Sequence, residues 1–192
     1  MQKIEIKAVK RQDVGKKATK LLRREEGVPG VLYGGKEVIH FSTTENEMRK
    51  IIFTPHVYLV ELNVEGKKYD AIIKDLQFHP VEDNLLHVDF LQIFDDKPII
   101  IDIPVQIEGL AEGVKSGGKL QLEQRKLRVK GLTKDLPDNL LIDVSGLDLG
   151  KSLQVGELDF PNLEMLNAKN MVIVSVKLTR AARAATEKQP QK

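Results

Sequence analysis

The chain has 192 residues, 41% of them hydrophobic, so it can bury one large core or two small ones. Because it contains no cysteine, disulfides, thiolate zinc sites and cysteine nucleophiles are excluded. No run of about 18 apolar residues could span a bilayer, and no apolar signal segment opens the chain. We therefore expect a cytoplasmic protein without a membrane partner.

The formal net charge is only +2, but the charges are distributed unevenly. Between Lys7 and Arg24 there are eight basic residues and a single acidic one, Asp13. Residues 95–180 instead carry almost equal numbers of basic and acidic side chains. This local excess of cations predicts an anionic partner for the N-terminal half, rather than nonspecific anion binding by the whole chain.

The pattern of apolar residues predicts a mainly β protein with short helices, of the α+β class. A first strand is predicted over residues 4–8, where apolar and charged side chains alternate. After Gly15 the apolar spacing becomes helical, and Gly27 is a stop signal, which predicts a helix over residues 17–26. Further strands are predicted over residues 30–33, 38–42, 57–64, 69–78, 85–93, 99–107, 127–129, 141–144 and 172–178, and a second short helix over residues 45–52.

A break in the pattern divides the chain into two predicted domains. The run Asp95-Asp96-Lys97-Pro98 interrupts the strands and places a boundary near residue 94. We therefore predict a first domain over residues 1–94 and a second β-rich domain over residues 95–180. Residues 181–192 lack large apolar side chains and are expected to form a disordered, mobile tail.

Two glycine-rich segments imitate a phosphate-binding P-loop. Gly30–Lys36 and Gly113–Lys119 both fit G-x-x-x-x-G-K, but Glu37 and Leu120 stand where a Ser or Thr should bind magnesium, and no helical pattern follows either segment. We expect turns at both places. The four histidines lack the short helical spacing of zinc sites, and no Ser, His and Asp set stands out. We therefore expect no metal, no cofactor, no catalytic residue and no small-molecule substrate.

The N-terminal half does offer what RNA recognition requires. RNA binding needs cations for phosphates, flat or hydrogen-bonding groups for bases and sugars, and a rigid support. The alternative for a basic helix is a solvated face without a partner, but the density and single sign of this cluster favour RNA. The candidate phosphate contacts are Lys10, Arg11, Lys16, Lys20, Arg23 and Arg24.

Tyr33 is a candidate for a contact other than phosphate. Its ring could stack on a base, and its hydroxyl could donate a hydrogen bond to a ribose or a phosphate. The alternative is half-buried packing at a strand end. The residue alone leaves both interpretations open.

His87 and Asp89 share one face of a predicted strand, while Leu86, Val88 and Phe90 share the opposite, core face. Phosphates repel an aspartate, so Asp89 is useful near RNA only if it accepts from a base amino group or fixes a neighbouring His or Arg. The alternative is a purely local pair between the aspartate and His87 or a lysine.

Several short motifs occur in order along the chain. They are Gly15-Lys16, Ala18-Thr19-Lys20, Leu22-Arg23, Pro29 to Gly35 (PGVLYGG), Lys74 to Pro80 (KDLQFHP), His87 to Phe90 (HVDF), Gly113 to Gly118 (GVKSGG) and Ile142 to Leu147 (IDVSGL). In this order they resemble the bacterial ribosomal protein L-twenty-five family, in the long form often called general stress protein Ctc. Each motif is weak alone, but their order along nearly the full length is specific.

The resemblance implies a small N-terminal β-barrel with helices that binds 5S ribosomal RNA near its loop E. Such a protein is a structural constituent of the central protuberance of the large ribosomal subunit and supports translation. Leu21 and Phe78 stand where some relatives carry arginine, and Leu21 is expected in the core instead. The RNA contacts implied by motif position are Lys10 or Arg11, Lys20, Arg23, Tyr33, His87 and Asp89.

The resemblance also implies neighbouring ribosomal proteins and ribosomal RNA as partners. The second domain would contact these neighbours or serve stress adaptation. A tRNA-binding appendage is the alternative from another class, because the family's barrel is similar to the anticodon-binding domains of glutaminyl-tRNA synthetase. No nucleotide-binding synthetase motif is present in the sequence.

Overall fold

A computed structural model of the chain describes residues 2–54 and 56–179. The chain divides into two compact units. The first contains the described residues up to Ile99 together with Leu132–Asp138, and the second contains Ile100–Gly131 and the described residues from Asn139 onward. The predicted boundaries at residues 94 and 180 stay predictions, and the tail predicted over residues 181–192 lies outside the described residues.

The first unit is built on a closed β-barrel. Its elements are β1 (Gln2–Lys10), α1 (Lys16–Arg24), β2 (Gly27–Tyr33), β3 (Ile39–Thr44), α2 (Glu45–Ile52), β4 (Tyr58–Val64), β5 (Lys67–Phe78) and β6 (Leu85–Gln92). The strands pair in the order β1, β3, β2, β6, β5, β4, and parallel pairing of β4 with β1 closes the barrel. The mainly β fold with short helices is confirmed, as is the barrel that the resemblance implied.

Alternating side chains explain why these strands enclose one core. Ile6 and Ala8 of β1 are buried, and so are Val88 and Phe90 of β6, while the residues between them point outward. The ring of Phe90 lies 5.8 Å from that of Phe41, centroid to centroid, and both rings are fully buried. The packed interior gives the outward-facing side chains a rigid support.

Gly30 in β2 permits close packing at the centre of this core. A Cβ at this position would overlap the ring of Phe41 and lie 2.8 Å from Cγ1 of Val88. Contacts that short do not occur between carbon atoms, so a larger side chain would displace one of these neighbours. The position requires glycine because of packing.

The antiparallel strands β5 and β6 each contribute one extra residue to their ladder, Lys74 on β5 and Leu86 on β6. Each extra residue forms a β-bulge, which interrupts the alternation of inward and outward side chains. Between the two bulges the pairing is regular, and Asp75 stands directly opposite Asp89. The bulges therefore define a short stretch in which polar side chains of both strands face outward.

The prediction that Leu86 shares the core face with Val88 and Phe90 is wrong. Leu85 occupies the core instead, with 5% of its surface exposed, and Leu86 is half-buried. The bulge adds one residue between Leu85 and Val88, so the period of two that the prediction assumed fails at this point.

The second unit is also β-rich. Its elements are β7 (Ile99–Glu108), α3 (Glu112–Lys115), β8 (Lys119–Leu122), β9 (Lys126–Gly131), β10 (Leu140–Asp143), β11 (Ser152–Gln154), a 3-10 helix (Val155–Glu157), β12 (Glu164–Met165) and β13 (Val172–Lys177). One sheet has the order β10, β7, β9, β12, and the other has the order β11, β13, β8. Ile103, Leu127, Ile142 and Ile173 are fully buried. The short strands β8, β11 and β12 were not predicted.

Neither glycine-rich segment has the geometry of a P-loop. Gly30–Lys36 runs from β2 into a turn at Gly34, and Gly113–Lys119 runs from α3 through a turn at Gly117 into β8. Neither leads into a helix that could hold a phosphate at its N-terminus. Within the described residues, no helix is long and apolar enough to cross a membrane, and no three acidic or histidine side chains cluster closely enough to share a metal ion.

Candidate functional site

A row of exposed cations follows the end of β1 and the outer side of α1. Lys10, Lys16, Lys20 and Arg24 are exposed, whereas Leu22 turns toward β2 and is half-buried. Among the described residues, these four cations make no ion pair with a carboxylate. Their charge is therefore uncompensated and available to an anion.

Two arginines attach α1 to its surroundings, one near each end. Arg11 donates from Nη2 to Oγ1 of Thr19 at 3.2 Å and to the backbone oxygen of Asp13 at 2.9 Å. Arg23 donates from Nε and Nη2 to the backbone oxygen of Leu86, at 3.1 and 2.8 Å. A guanidinium has more N–H groups than these bonds use, so both side chains keep donors for a ligand.

Two cations on the outer face of the barrel, Lys3 of β1 and Lys68 of β5, are by contrast paired with carboxylates. Nζ of Lys3 lies 2.9 Å from Glu61 and 2.7 Å from Asp70, and Nζ of Lys68 lies 2.6 Å from Glu61. The hydrogen bond with Asp70 raises the pKa of Lys3, and the hydrogen bond from Lys68 lowers the pKa of Glu61. This face offers little net charge to an anion, unlike α1.

His87 and Asp89 form a close pair on β6. Nδ1 of His87 lies 2.7 Å from Oδ1 of Asp89, and the two side chains are 28% and 29% exposed. Despite this distance, Nδ1 has no properly aligned hydrogen-bond partner among the described residues. At this distance, a small rotation of the imidazole ring is enough to align the hydrogen bond. The carboxylate is half-exposed and can accept from a further donor.

Tyr33 ends β2 and is half-buried. Burial raises the pKa of its phenol, and the negative charges of Asp89 and Asp75 raise it further. The hydroxyl therefore stays protonated at neutral pH and can donate a hydrogen bond. A phenol donor and carboxylate acceptors are thus close together on the outside of the barrel.

A row of directly paired residues joins the cations to this polar group. The backbone N–H of Arg11 donates to the oxygen of His40 at 2.9 Å, and His40 stands opposite Val31. Val31 stands opposite Asp89, which stands opposite Asp75. Neighbouring strands are about 4.8 Å apart, so His40 and Asp89 are separated by about 10 Å. The end of β1 and the middle of β6 share one continuous surface.

Comparisons with known proteins agree with this architecture. Residues 6–90 match the model of the Ribosomal L25p family, and residues 98–180 match that of the Ribosomal protein TL5, C-terminal domain. The large ribosomal subunit protein bL25 of Azobacteroides pseudotrichonymphae is 56% identical over 185 residues, which covers 96% of this chain and 98% of the relative. The chain belongs to the ribosomal L25 family.

Two further relatives with the same name support this membership. The Bacteroides fragilis protein is 54% identical over 190 residues, covering 96% of this chain and 97% of its own. The Porphyromonas gingivalis protein is 52% identical over 190 residues, covering 98% and 99%. Membership makes the chain a structural, non-enzymatic component of the ribosome in the cytoplasm, in association with ribosomal RNA and other ribosomal proteins.

In this L25-family chain, the residues predicted from the sequence fall into two groups on the first unit. The basic group lies at the end of β1, on the residue that follows it and on α1, and consists of Lys10, Arg11, Lys16, Lys20, Arg23 and Arg24. The polar group lies on β2 and β6, and consists of Tyr33, His87 and Asp89. The bond from Arg23 to Leu86 joins them one residue before His87.

Sequence reasoning missed Asp75 and Gln77 of β5. They stand directly opposite Asp89 and His87, and both are exposed. The bulge at Lys74 obscured the signal, because it displaces the alternation of β5 by one residue. We call Tyr33, Asp75, Gln77, His87 and Asp89 together the strand patch.

The expectation that Leu21 belongs to the core is wrong, since 58% of this residue is exposed. Leu22 occupies the side of α1 that faces β2, and consecutive helical residues point about 100° apart. Leu21 therefore cannot face the barrel together with Leu22. Leu21 instead lies next to the exposed Lys20, on the cationic side of the helix.

Proposed function

We propose that this chain binds 5S ribosomal RNA, near loop E in the central protuberance of the large subunit. Binding would occur through α1 and the strand patch. The observation that carries the proposal is a helix with uncompensated cations, fixed beside hydrogen-bonding side chains on a rigid barrel. The choice of 5S RNA among ribosomal RNAs draws on the motif resemblance.

The two groups suit different parts of an RNA helix. Lys10, Lys16, Lys20 and Arg24 would contact phosphates, because they are exposed and make no ion pair among the described residues. A wide, shallow RNA minor groove exposes base edges and 2′-hydroxyls, which both donate and accept hydrogen bonds. The strand patch offers matching donors and acceptors.

Asp89 fits this assignment despite its negative charge. Its carboxylate would accept from a base amino group or a 2′-hydroxyl, while His87 at 2.7 Å would hold the carboxylate in position. The close pair and the RNA contact are therefore compatible.

The proposal assigns RNA binding to residues 1–94 and contacts with neighbouring ribosomal components to residues 95–180. Several cations of the second unit are engaged with carboxylates, which supports this division. The pairs are Arg128 with Asp102 at 2.8 Å, Lys130 with Glu164 at 2.8 Å and Lys177 with Glu123 at 3.1 Å.

A titration of the full chain with three RNAs tests the proposal. They are 5S ribosomal RNA, 5S RNA whose loop E is replaced by a regular duplex, and tRNA, each at several salt concentrations. We expect native 5S RNA to bind on the order of a hundredfold more tightly than the other two. Equal affinities for the three RNAs would mean that binding is only nonspecific attraction to phosphates. Tighter binding of tRNA would favour the tRNA-binding alternative.

A further inference from the structure

The bulge on β6 leaves one backbone carbonyl in an unusual position. Gln77 pairs with His87 and the next residue of β5, Phe78, pairs with Leu85, so Leu86 has no partner on β5. The residue pairs that join β6 to β2 begin only at Val88. The carbonyl of Leu86 thus lies outside the regular part of both ladders.

Arg23 supplies donors to this carbonyl. Its Nε and Nη2 lie 3.1 and 2.8 Å from the Leu86 oxygen, across 63 positions of sequence. On the β2 side, Pro29 precedes the first paired residue, Gly30, and proline has no N–H to donate. A buried or half-buried carbonyl requires a donor, and a guanidinium can direct two N–H groups at one oxygen.

The rest of α1 is weakly anchored. None of its residues is buried, and Gly15 at its N-cap provides no side-chain hydrogen bond to the first turn. Near its start, α1 is held by the bond from Arg11 to Thr19. Near its end, Arg23 holds it to the bulge. Since a nine-residue helix is only marginally stable alone, these attachments determine where its cations lie.

We propose that Arg23 is a positioning residue for RNA binding, which holds α1 on the Leu86 bulge. This attachment fixes the phosphate-binding side chains of Lys16, Lys20 and Arg24 relative to His87 and Asp89. The inference rests on the proposed function, because it explains how the cations of α1 and the strand patch would act together on one RNA. It assigns Arg23 a role beyond the phosphate contact expected from its charge.

The variant Arg23→Lys separates geometry from charge. Lysine keeps the positive charge but loses the planar pair of donors. Arg125→Lys is the matched control, because Arg125 lies in the second unit, is exposed and makes no ion pair with a described carboxylate. Two measurements on the full chain are needed: hydrogen exchange of the α1 backbone amides without RNA, and titration with 5S ribosomal RNA at several salt concentrations.

We expect Arg23→Lys to speed the exchange of the α1 amides about fivefold and to weaken 5S binding about fivefold, with an unchanged salt slope. Arg125→Lys should change neither quantity by more than about twofold. Exchange equal to the wild type would overturn the proposal, as would faster exchange with unchanged affinity. A reduced salt slope in Arg23→Lys would also overturn it, because it would mean a lost phosphate contact.

If the wild-type chain does not bind 5S RNA, the proposed function is wrong, and that failure is visible in the titration alone. The exchange measurement then still decides whether Arg23 anchors α1. Exchange unchanged by Arg23→Lys would overturn the anchoring role independently of any RNA.

Discussion

The phenol of Tyr33 differs from its charged neighbours because it can donate a hydrogen bond without adding charge. Tyr33→Phe should weaken 5S RNA binding about fivefold, or about 1 kcal/mol, because one hydrogen bond to RNA is lost while the ring remains. Titration with 5S RNA measures this loss. Tyr69→Phe is the matched control, since Tyr69 packs against the barrel core away from the strand patch. Equal affinities of the two variants would remove the Tyr33 hydroxyl from the contacts.

The chemical types of the site residues were predictable from the sequence, but their partners were not. The cations and Tyr33 stand out by charge density and by motif. The hydrogen bond from Arg23 to Leu86 spans 63 positions of sequence, and no local sequence pattern predicts it. Asp75 escaped notice because its outward orientation depends on the extra residue Lys74.

Among the elements, β1, β4 and β5 are joined on their outer face by ion pairs that respond to pH. Because hydrogen bonds from Lys68 and Lys3 lower the pKa of Glu61, its ionised form stabilises the fold above its unfolded pKa. That stabilisation is lost as the pH falls through the lower folded pKa. Glu61→Gln should therefore lower the melting temperature near neutral pH and have little effect in acid.

Melting curves between about pH 3 and about pH 7 check this expectation. The difference between wild type and Glu61→Gln should shrink steadily toward the acid end. Glu65→Gln, in the turn between β4 and β5, provides a control with the same chemical change. A difference between wild type and Glu61→Gln that is independent of pH would mean that ionisation of Glu61 contributes nothing.

The close packing at Gly30 gives a second test at this scale. Gly30→Ala should destabilise the fold by about 1–3 kcal/mol, because its Cβ would overlap Phe41 and crowd Val88. Denaturant unfolding measures the change. Gly146→Ala is the control, since a Cβ there would meet nothing within 4 Å. Equal stabilities of the two variants would mean that the β2 backbone moves aside without cost.

Most strands were predictable because one face of each is buried, and alternation reports that burial directly. Prediction of a strand from alternating side chains fails where a bulge interrupts the alternation, as at Leu86. It also fails for strands as short as β12, with two residues, where no period can be recognised. Bulges and short strands depend on long-range pairing, which a single sequence does not display.

For the whole molecule, the position of the charge matters more than its sum. The triple variant Lys16→Gln, Lys20→Gln and Arg24→Gln should lower the slope of log affinity against log salt by about two to three, if each cation contacts a phosphate. Titrations of 5S RNA across salt concentrations give this slope.

A second triple variant keeps the change in net charge identical. Lys115→Gln, Lys151→Gln and Lys169→Gln remove three exposed cations of the second unit, and should leave the slope unchanged. If both variants reduce the slope equally, net charge rather than the α1 surface governs binding. The proposed assignment of RNA binding to residues 1–94 alone would then be wrong.

The broad two-part organisation could be anticipated from the break near residue 95, but its details could not. Leu132–Asp138 groups with the first unit although the chain on both sides of it belongs to the second. The grouping of this segment with the first unit depends on tertiary packing. Nothing in its local composition distinguishes it from a loop.

The place of β6 between β2 and β5 sets an order of events during synthesis on a translating ribosome. The cations of α1 leave the exit tunnel first, but β2 gains its second neighbour only after Leu85–Gln92 have emerged. The carbonyl that anchors Arg23 arrives at the same stage. Under the proposed function, a nascent chain would expose the cations of α1 before the strand patch is assembled, and selective RNA binding would begin only when the sixth strand is inserted.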